Sequence, residues 1–217
     1  MSSRSALLLS LFTENKDKTL AFGHEVVPGL FLANRHALVV GGEGELWLKE
    51  VVRADAILCC AKEITENVTT LSNSEFGKKL SGGVSLVPME EADLTTDSYT
   101  STLEAQLREA AAIIHSHVSL GRRIVVACKY GYNRSASSVL SYLVLFKETS
   151  LINGLETLRR SRPKVYPNIE TWPSLLRIEE SSCLNNNSST QGSGSSVTME
   201  EILEYHAWSP RVKGRLH

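Results

Sequence analysis

The stretch Ile124-Val125-Val126-Ala127-Cys128-Lys129-Tyr130-Gly131-Tyr132-Asn133-Arg134-Ser135 decides the fold. Its first four residues form a short apolar run rich in β-branched side chains, which reads as a buried strand. Ala136 to Lys147 follows with Val139, Leu140, Leu143 and Val144 on one face, which reads as a helix. The polar, glycine-containing segment between them is then a loop joining the end of a strand to the start of a helix.

The same alternation extends outward. Upstream, Leu103, Leu107, Ala110, Ile114 and His117 recur at steps of four, three, four and three, an amphipathic helix that Gly121 ends. Val84–Val87 and Ala56–Cys60 read as further buried strands, and Leu46–Val52 as a helix. Residues 62–83 read as a helix and an irregular loop. Val26-Val27-Pro28-Gly29-Leu30-Phe31-Leu32 reads as two short strands about a Pro-Gly turn. Downstream, helices fit Ser150–Arg160 and Thr171–Glu180. Apolar strands separated by helices imply an α/β fold: a central, mostly parallel sheet with helices on both faces and the loop between the last core strand and a helix.

The chain has 217 residues, 42% of them hydrophobic, with a formal net charge of −1, which suits one domain with appendages. We expect an N-terminal arm at 1–23, a compact catalytic body at 24–180, a flexible linker at 181–198 and a C-terminal tail at 199–217. In the linker, 14 of the 16 residues 181–196 are Ser, Asn, Thr, Gln or Gly, too few apolar groups to offset the entropy of ordering. The balanced charge excludes a general nucleic-acid-coating protein. It also conceals a division: residues 85–109 carry six acids and one base, and residues 121–164 carry nine bases and two acids. The basic portion brackets the loop.

No apolar run is long enough for a membrane span, and Ser5–Phe12 is too short and too soon followed by charge to read as a signal peptide. The four cysteines lack metal spacing and disulfide density, so a reducing cytoplasm is expected, with the nucleus as a second location. His115 and His117 lie two apart on a helix and face different sides, so no metal is assigned. The sequon Asn67-Val68-Thr69 is expected to stay bare.

The loop carries the chemistry. It sits at the C-terminal end of a strand, where open α/β sheets bind ligands. It opens a helix whose first N–H groups lack internal partners and attract an anion. Gly131 lets the loop curl so that N–H groups converge, and Arg134 can clamp two anion oxygens. The same groups favour the thiolate of Cys128, a nucleophile suited to phosphorus, with a cysteinyl-phosphate intermediate and no metal or cofactor. Lys129, Tyr130, Gly131, Tyr132 and Asn133 are the substrate-binding candidates. Lys129 is either a solvated charge or part of the pocket wall; Tyr130 and Tyr132 either pack on a substrate ring or cover the core. Cys59 and Cys60 pack in their strand, with a regulatory disulfide to Cys128 as a further hypothesis.

From Val26 to Glu179 the sequence resembles the dual-specificity phosphatases of the cysteine-based protein tyrosine phosphatase superfamily. The resemblance rests on Val27-Pro28-Gly29-Leu30-Phe31-Leu32-Ala33, on the loop Cys128–Ser135, and on Arg162-Pro163 followed by Pro167-Asn168. It implies an enzyme acting on phosphotyrosine and on phosphoserine or phosphothreonine of phosphorylated proteins; the balanced charge gives no reason to expect a nucleic-acid partner. It also implies that Ser135 helps the thiolate leave the phosphoenzyme. A general acid is needed for the leaving oxygen. Asp97, 31 residues before Cys128 and six before Leu103, best matches the family spacing; Asp93 and then Glu91 follow it. One departure stands out: the family usually places His before the nucleophile, and this chain has Ala127, which weakens support for the loop. Two alternatives stay open. One is a phosphoinositide or other non-protein phosphatase, because Lys129 directly follows the nucleophile as in some lipid-directed relatives. The other is a catalytically weak phosphate-binding module.

Overall fold

A computed structural model describes residues 22–91 and 96–185. Among these residues five strands form one sheet: β1 (Gly23–Val27), β2 (Leu30–Asn34), β3 (Ala56–Cys59), β4 (Gly83–Leu86) and β5 (Ile124–Cys128), in the order β1-β2-β5-β3-β4. β1 and β2 form an antiparallel hairpin, and β2, β5, β3 and β4 run parallel. Gly29 closes the hairpin at φ +76°, a conformation glycine adopts without steric cost. The helices are α1 (Glu43–Leu46, continuing as a wider turn over Trp47–Val52), α2 (Thr65–Asn73), α3 (Glu75–Lys79), α4 (Asp97–Val118), α5 (Arg134–Lys147), α6 (Leu151–Ser161) and α7 (Trp172–Asn185). This is the α/β architecture expected from the sequence.

β3 and β5 are apolar and buried at every position, and β2 at all but its last residue Asn34, because both faces are covered. Leu30, Leu32, Leu58, Ile124 and Val126 face α4, α5, α6 and α7. Phe31, Ala33, Ile57, Val125 and Ala127 face the opposite layer, which holds Trp47, Leu48, Val68 and Leu71. α5 lies deep between sheet and helices despite four serines, Ser135, Ser137, Ser138 and Ser141, all buried. Three of these hydroxyls donate to the carbonyl four residues back, at 3.0, 2.9 and 2.9 Å for Ser137, Ser138 and Ser141, so none costs an unmet hydrogen bond.

Two boundaries differ from the sequence reading. Residues 62–83 contain a 3₁₀ turn at Lys62–Ile64 and two helices, because Ser74 adopts extended backbone, ends α2 and caps α3 through the Gly77 amide. At the other end α7 runs to Asn185, into the expected linker. Its continuation is anchored: Ser181 accepts from Arg108 on α4 at 2.6 Å and Ser182 donates to the Val144 carbonyl at 3.4 Å. The N-terminal arm, the rest of the linker and the tail lie outside the described residues. No helix among the described residues is long and apolar enough to cross a membrane.

Candidate active site

Cys128 is the last residue of β5, and Arg134 the first of α5. The five residues between them make one tight turn. Gly131 stands at φ +74°, and a Cβ there would lie 2.7 Å from the Ala33 carbonyl oxygen, so glycine is required both by conformation and by space. The turn aims donors inward: the Gly131 amide donates to Cys128 Sγ at 3.2 Å, and Ser135 Oγ lies 3.1 Å from the same sulfur. The start of the 14-residue α5 faces the same space and adds its unpaired N–H groups and dipole.

Arg134 is 3% exposed. Its Nη1 and Nη2 donate to the two carboxylate oxygens of Glu63 at 2.6 and 2.5 Å, and Nη1 also donates to the Met89 carbonyl at 3.2 Å. Burial opposes its charge, but the Glu63 bonds and the charges of Cys128, Glu63 and Glu91 outweigh that, so its pKa is raised. The Arg134 hydrogen bonds hold the Glu63 carboxyl below the ordinary range against a smaller effect of burial. Arg134 Nε is left as a buried donor with no hydrogen-bond partner among the described residues. Glu63 was not among the sequence candidates. The only available signal was its position just beyond β3, the strand that pairs beside β5.

Five bonds from the segment after α6 brace the loop, and they show what its Arg-Pro and Pro-Asn pairs hold in place. Arg162 Nε donates to the Gly131 carbonyl at 2.8 Å, and Nη2 to the Tyr130 carbonyl at 3.4 Å. The Tyr166 amide donates to the Tyr132 carbonyl at 2.8 Å, and the Asn168 amide to Asn133 Oδ1 at 3.0 Å. Thr171 Oγ1 adds a bond to the same oxygen at 3.3 Å. The Asn133 side chain is therefore a strut under the loop, which separates it from the other substrate-binding candidates. Tyr130 and Tyr132 stack at 5.6 Å between centroids, with Lys129 Nζ 5.1 Å from the Tyr130 ring and Tyr130 47% exposed.

The acid candidates separate as well. Asp97 begins α4, fully exposed, with its carboxylate 3.5 Å from Arg177 of α7. Asp93 lies outside the described residues. Glu91 Oε2 is 3.9 Å from Arg134 Nη2. The chain leading to it is fixed, since the Met89 carbonyl also accepts from the Lys62 amide, Lys62 pairs with Glu90, and Tyr99 Oη donates to the Glu90 carbonyl at 3.3 Å. Cys59 and Cys60 are buried at the end of β3. Burial pushes the Cys60 thiol up to about 12 and the Cys59 thiol well above its ordinary value, so both are protonated and slow partners for a disulfide with Cys128.

A family model for the dual specificity phosphatase catalytic domain matches residues 48–181. The chain belongs to the dual-specificity phosphatase family. A protein of invertebrate iridescent virus 6 named as a tyrosine phosphatase, 123R, is 29% identical over 83 residues, 38% of this chain and 58% of that one. The chain covers 58% or less of the length of each of the first three curated relatives it matches. Human DUSP28 shares the fold with a TM-score of 0.55 at 23% identity, over 73% of this dual-specificity phosphatase chain and 93% of the other. PTPMT1 in complex with PI(5)P does so at 0.57 and 17% identity, over 76% and 98%.

Proposed function

We propose that this domain hydrolyses phosphomonoesters through a cysteinyl-phosphate formed on Cys128, acting on phosphotyrosine and on phosphoserine or phosphothreonine of proteins. The observation that carries this reading is the convergence of donors on one small space. The Gly131 amide and the Ser135 hydroxyl meet the Cys128 sulfur, and Arg134 is fixed by Glu63 with its buried Nε still unpaired. A buried donor without an acceptor is costly, and a phosphate oxygen would satisfy it. Cys128 attacks phosphorus; the leaving oxygen takes a proton from an acid; water then cleaves the S–P bond while Ser135 donates to the departing sulfur. The loop amides and Arg134 hold the charge that spreads over the phosphoryl oxygens in both steps.

The acid is assigned to Glu91 in preference to Asp97, because Glu91 reaches Arg134 whereas the Asp97 carboxylate is turned to Arg177. The stacked Tyr130 and Tyr132 rings favour a flat aryl phosphate. A second reading, a phosphoinositide substrate, draws on Lys129 beside the nucleophile and on the fold shared with PTPMT1 bound to PI(5)P.

Purified protein should hydrolyse an aryl phosphate in the presence of EDTA and be blocked by vanadate. Faster turnover of phosphotyrosyl and phosphothreonyl peptides than of phosphoinositide vesicles supports the protein reading. The reverse order supports the lipid reading. Tungstate binding with no turnover on any of them contradicts catalysis and leaves a binding module.

A further inference from the structure

The loop is firmly held although the residue before the nucleophile is Ala127, whose methyl is wholly buried and makes no hydrogen bond. Beside the Tyr166, Asn168 and Thr171 bonds, its support comes from Arg162, a guanidinium only 6% exposed that forms no salt bridge with any described carboxylate. Arg162 spends Nε and Nη2 on the Gly131 and Tyr130 carbonyls. Its remaining nitrogen, Nη1, lies 2.8 Å from Nδ1 of His24 on β1. Arginine can only donate, so His24 Nδ1 must accept, and the imidazole is neutral with its proton on Nε2. A protonated imidazole would put N–H against N–H and two positive charges side by side.

We propose that His24 and Arg162 form a latch that positions the phosphate-binding loop, and that it holds only while His24 is neutral. The inference rests on the phosphatase reading above for its consequence, though not for its geometry. Protonating His24 removes the acceptor that fixes the third edge of the guanidinium and repels it. The carbonyls of Tyr130 and Gly131 then lose a fixed donor, and Gly131 is the residue whose amide meets the Cys128 sulfur.

The surroundings of His24 add little competing charge. β2 places apolar Leu32 opposite it. α6 packs Leu155 and Leu158 inward, its Glu156 and Arg160 pair with each other at the surface, and Arg159 is the remaining charge on that helix. The loop contributes the Tyr132 phenol and the Cys128 thiol, both of which act on Arg162. The neighbouring Glu25 carboxylate accepts from the Gly29 amide. Burial, and then the charge of Arg162, lower the His24 pKa from 6.5, so the latch is closed at neutral pH and opens on the acid side.

The test uses the full chain without substrate, so its result does not depend on turnover. The rate of Cys128 alkylation by iodoacetamide is followed from pH 5 to 8 on the tryptic peptide Ile124–Lys129, which contains no other cysteine. In His24→Gln, an uncharged acceptor, the step below pH 6.5 should disappear while the neutral-pH rate is kept. In His24→Leu the rate should fall about tenfold across the range, the scale of one lost hydrogen bond to a charged group. Profiles of wild type and His24→Gln that superimpose overturn the latch. Ring ¹⁵N shifts of His24 in the unmodified protein provide a check that needs no variant: a neutral Nε2–H form at pH 7.5 is expected, and a Nδ1–H form overturns the proposal. Normal alkylation and tautomer with no phosphate-ester turnover would sink the phosphatase reading alone.

Discussion

Arg134 shows what a single residue can and cannot reveal in the sequence. Its six-residue spacing from Cys128 and the glycine between them are readable, because all three lie in one contiguous stretch of sequence. Glu63, which fixes its guanidinium, lies 71 residues away and is brought there only by the parallel β3–β5 pairing. Glu63→Gln should keep a neutral hydrogen-bonding group but lose the charge pairing, and kcat/KM on an aryl phosphate should fall about ten- to a hundredfold with the fold intact by circular dichroism. An unchanged kcat/KM would mean that Glu63 does not orient Arg134. The acid is hard to read for a related reason: spacing alone favours Asp97, and counting residues does not show that its carboxylate turns toward α7. Glu91→Gln should lower kcat by about a hundredfold on poor leaving groups and much less on p-nitrophenyl phosphate, whereas Asp97→Asn should change either by less than about twofold. The opposite pattern would return the role to Asp97.

At the scale of elements, the strand–loop–helix unit was the most legible part, because an apolar run, a glycine and an amphipathic run sit side by side. The Arg162-Pro163 and Pro167-Asn168 pairs were visible as motifs, but their work became clear only once α6 placed them beneath the loop. The loop tolerates no side chain at its bend. Gly131→Ala would force a Cβ into the Ala33 carbonyl and hold a positive φ at a cost of about 1–2 kcal/mol before any clash. Tungstate affinity should drop at least about tenfold, and the melting temperature should fall by several degrees, about 2–4 °C for each kcal/mol of strain. Retained affinity would show that the loop can bend elsewhere. α5 itself is secured from the far side by Trp172, whose ring is fully buried in the core of α4–α7.

For the whole molecule, the near-neutral net charge hides an electrostatic dependence on pH. His24 and His117 both have pKa values lowered from 6.5, chiefly by burial and then by a neighbouring arginine. The folded state therefore binds fewer protons than the unfolded state on the acid side of 6.5. The stability they confer is fully present above 6.5 and is lost as the pH falls from there through their folded values. Urea midpoints should be level between pH 7 and 8 and lower at pH 5.5, with His24→Gln showing a smaller drop; a midpoint that does not change with pH would remove this coupling. The layered α/β arrangement was readable because both sheet faces are apolar, whereas the extension of α7 to Asn185 was hidden by a polar composition that reads as linker. All of these layers serve one arrangement, a cysteine sulfur held beneath converging donors. Rapid acid quench during turnover of an aryl phosphate, followed by mass spectrometry of the peptide Ile124–Lys129, tests it. A phosphoryl group on Cys128, absent in Cys128→Ser together with all turnover, is the predicted result. Phosphate release by Cys128→Ser at the wild-type rate, with no phosphorylated peptide in either protein, would contradict it.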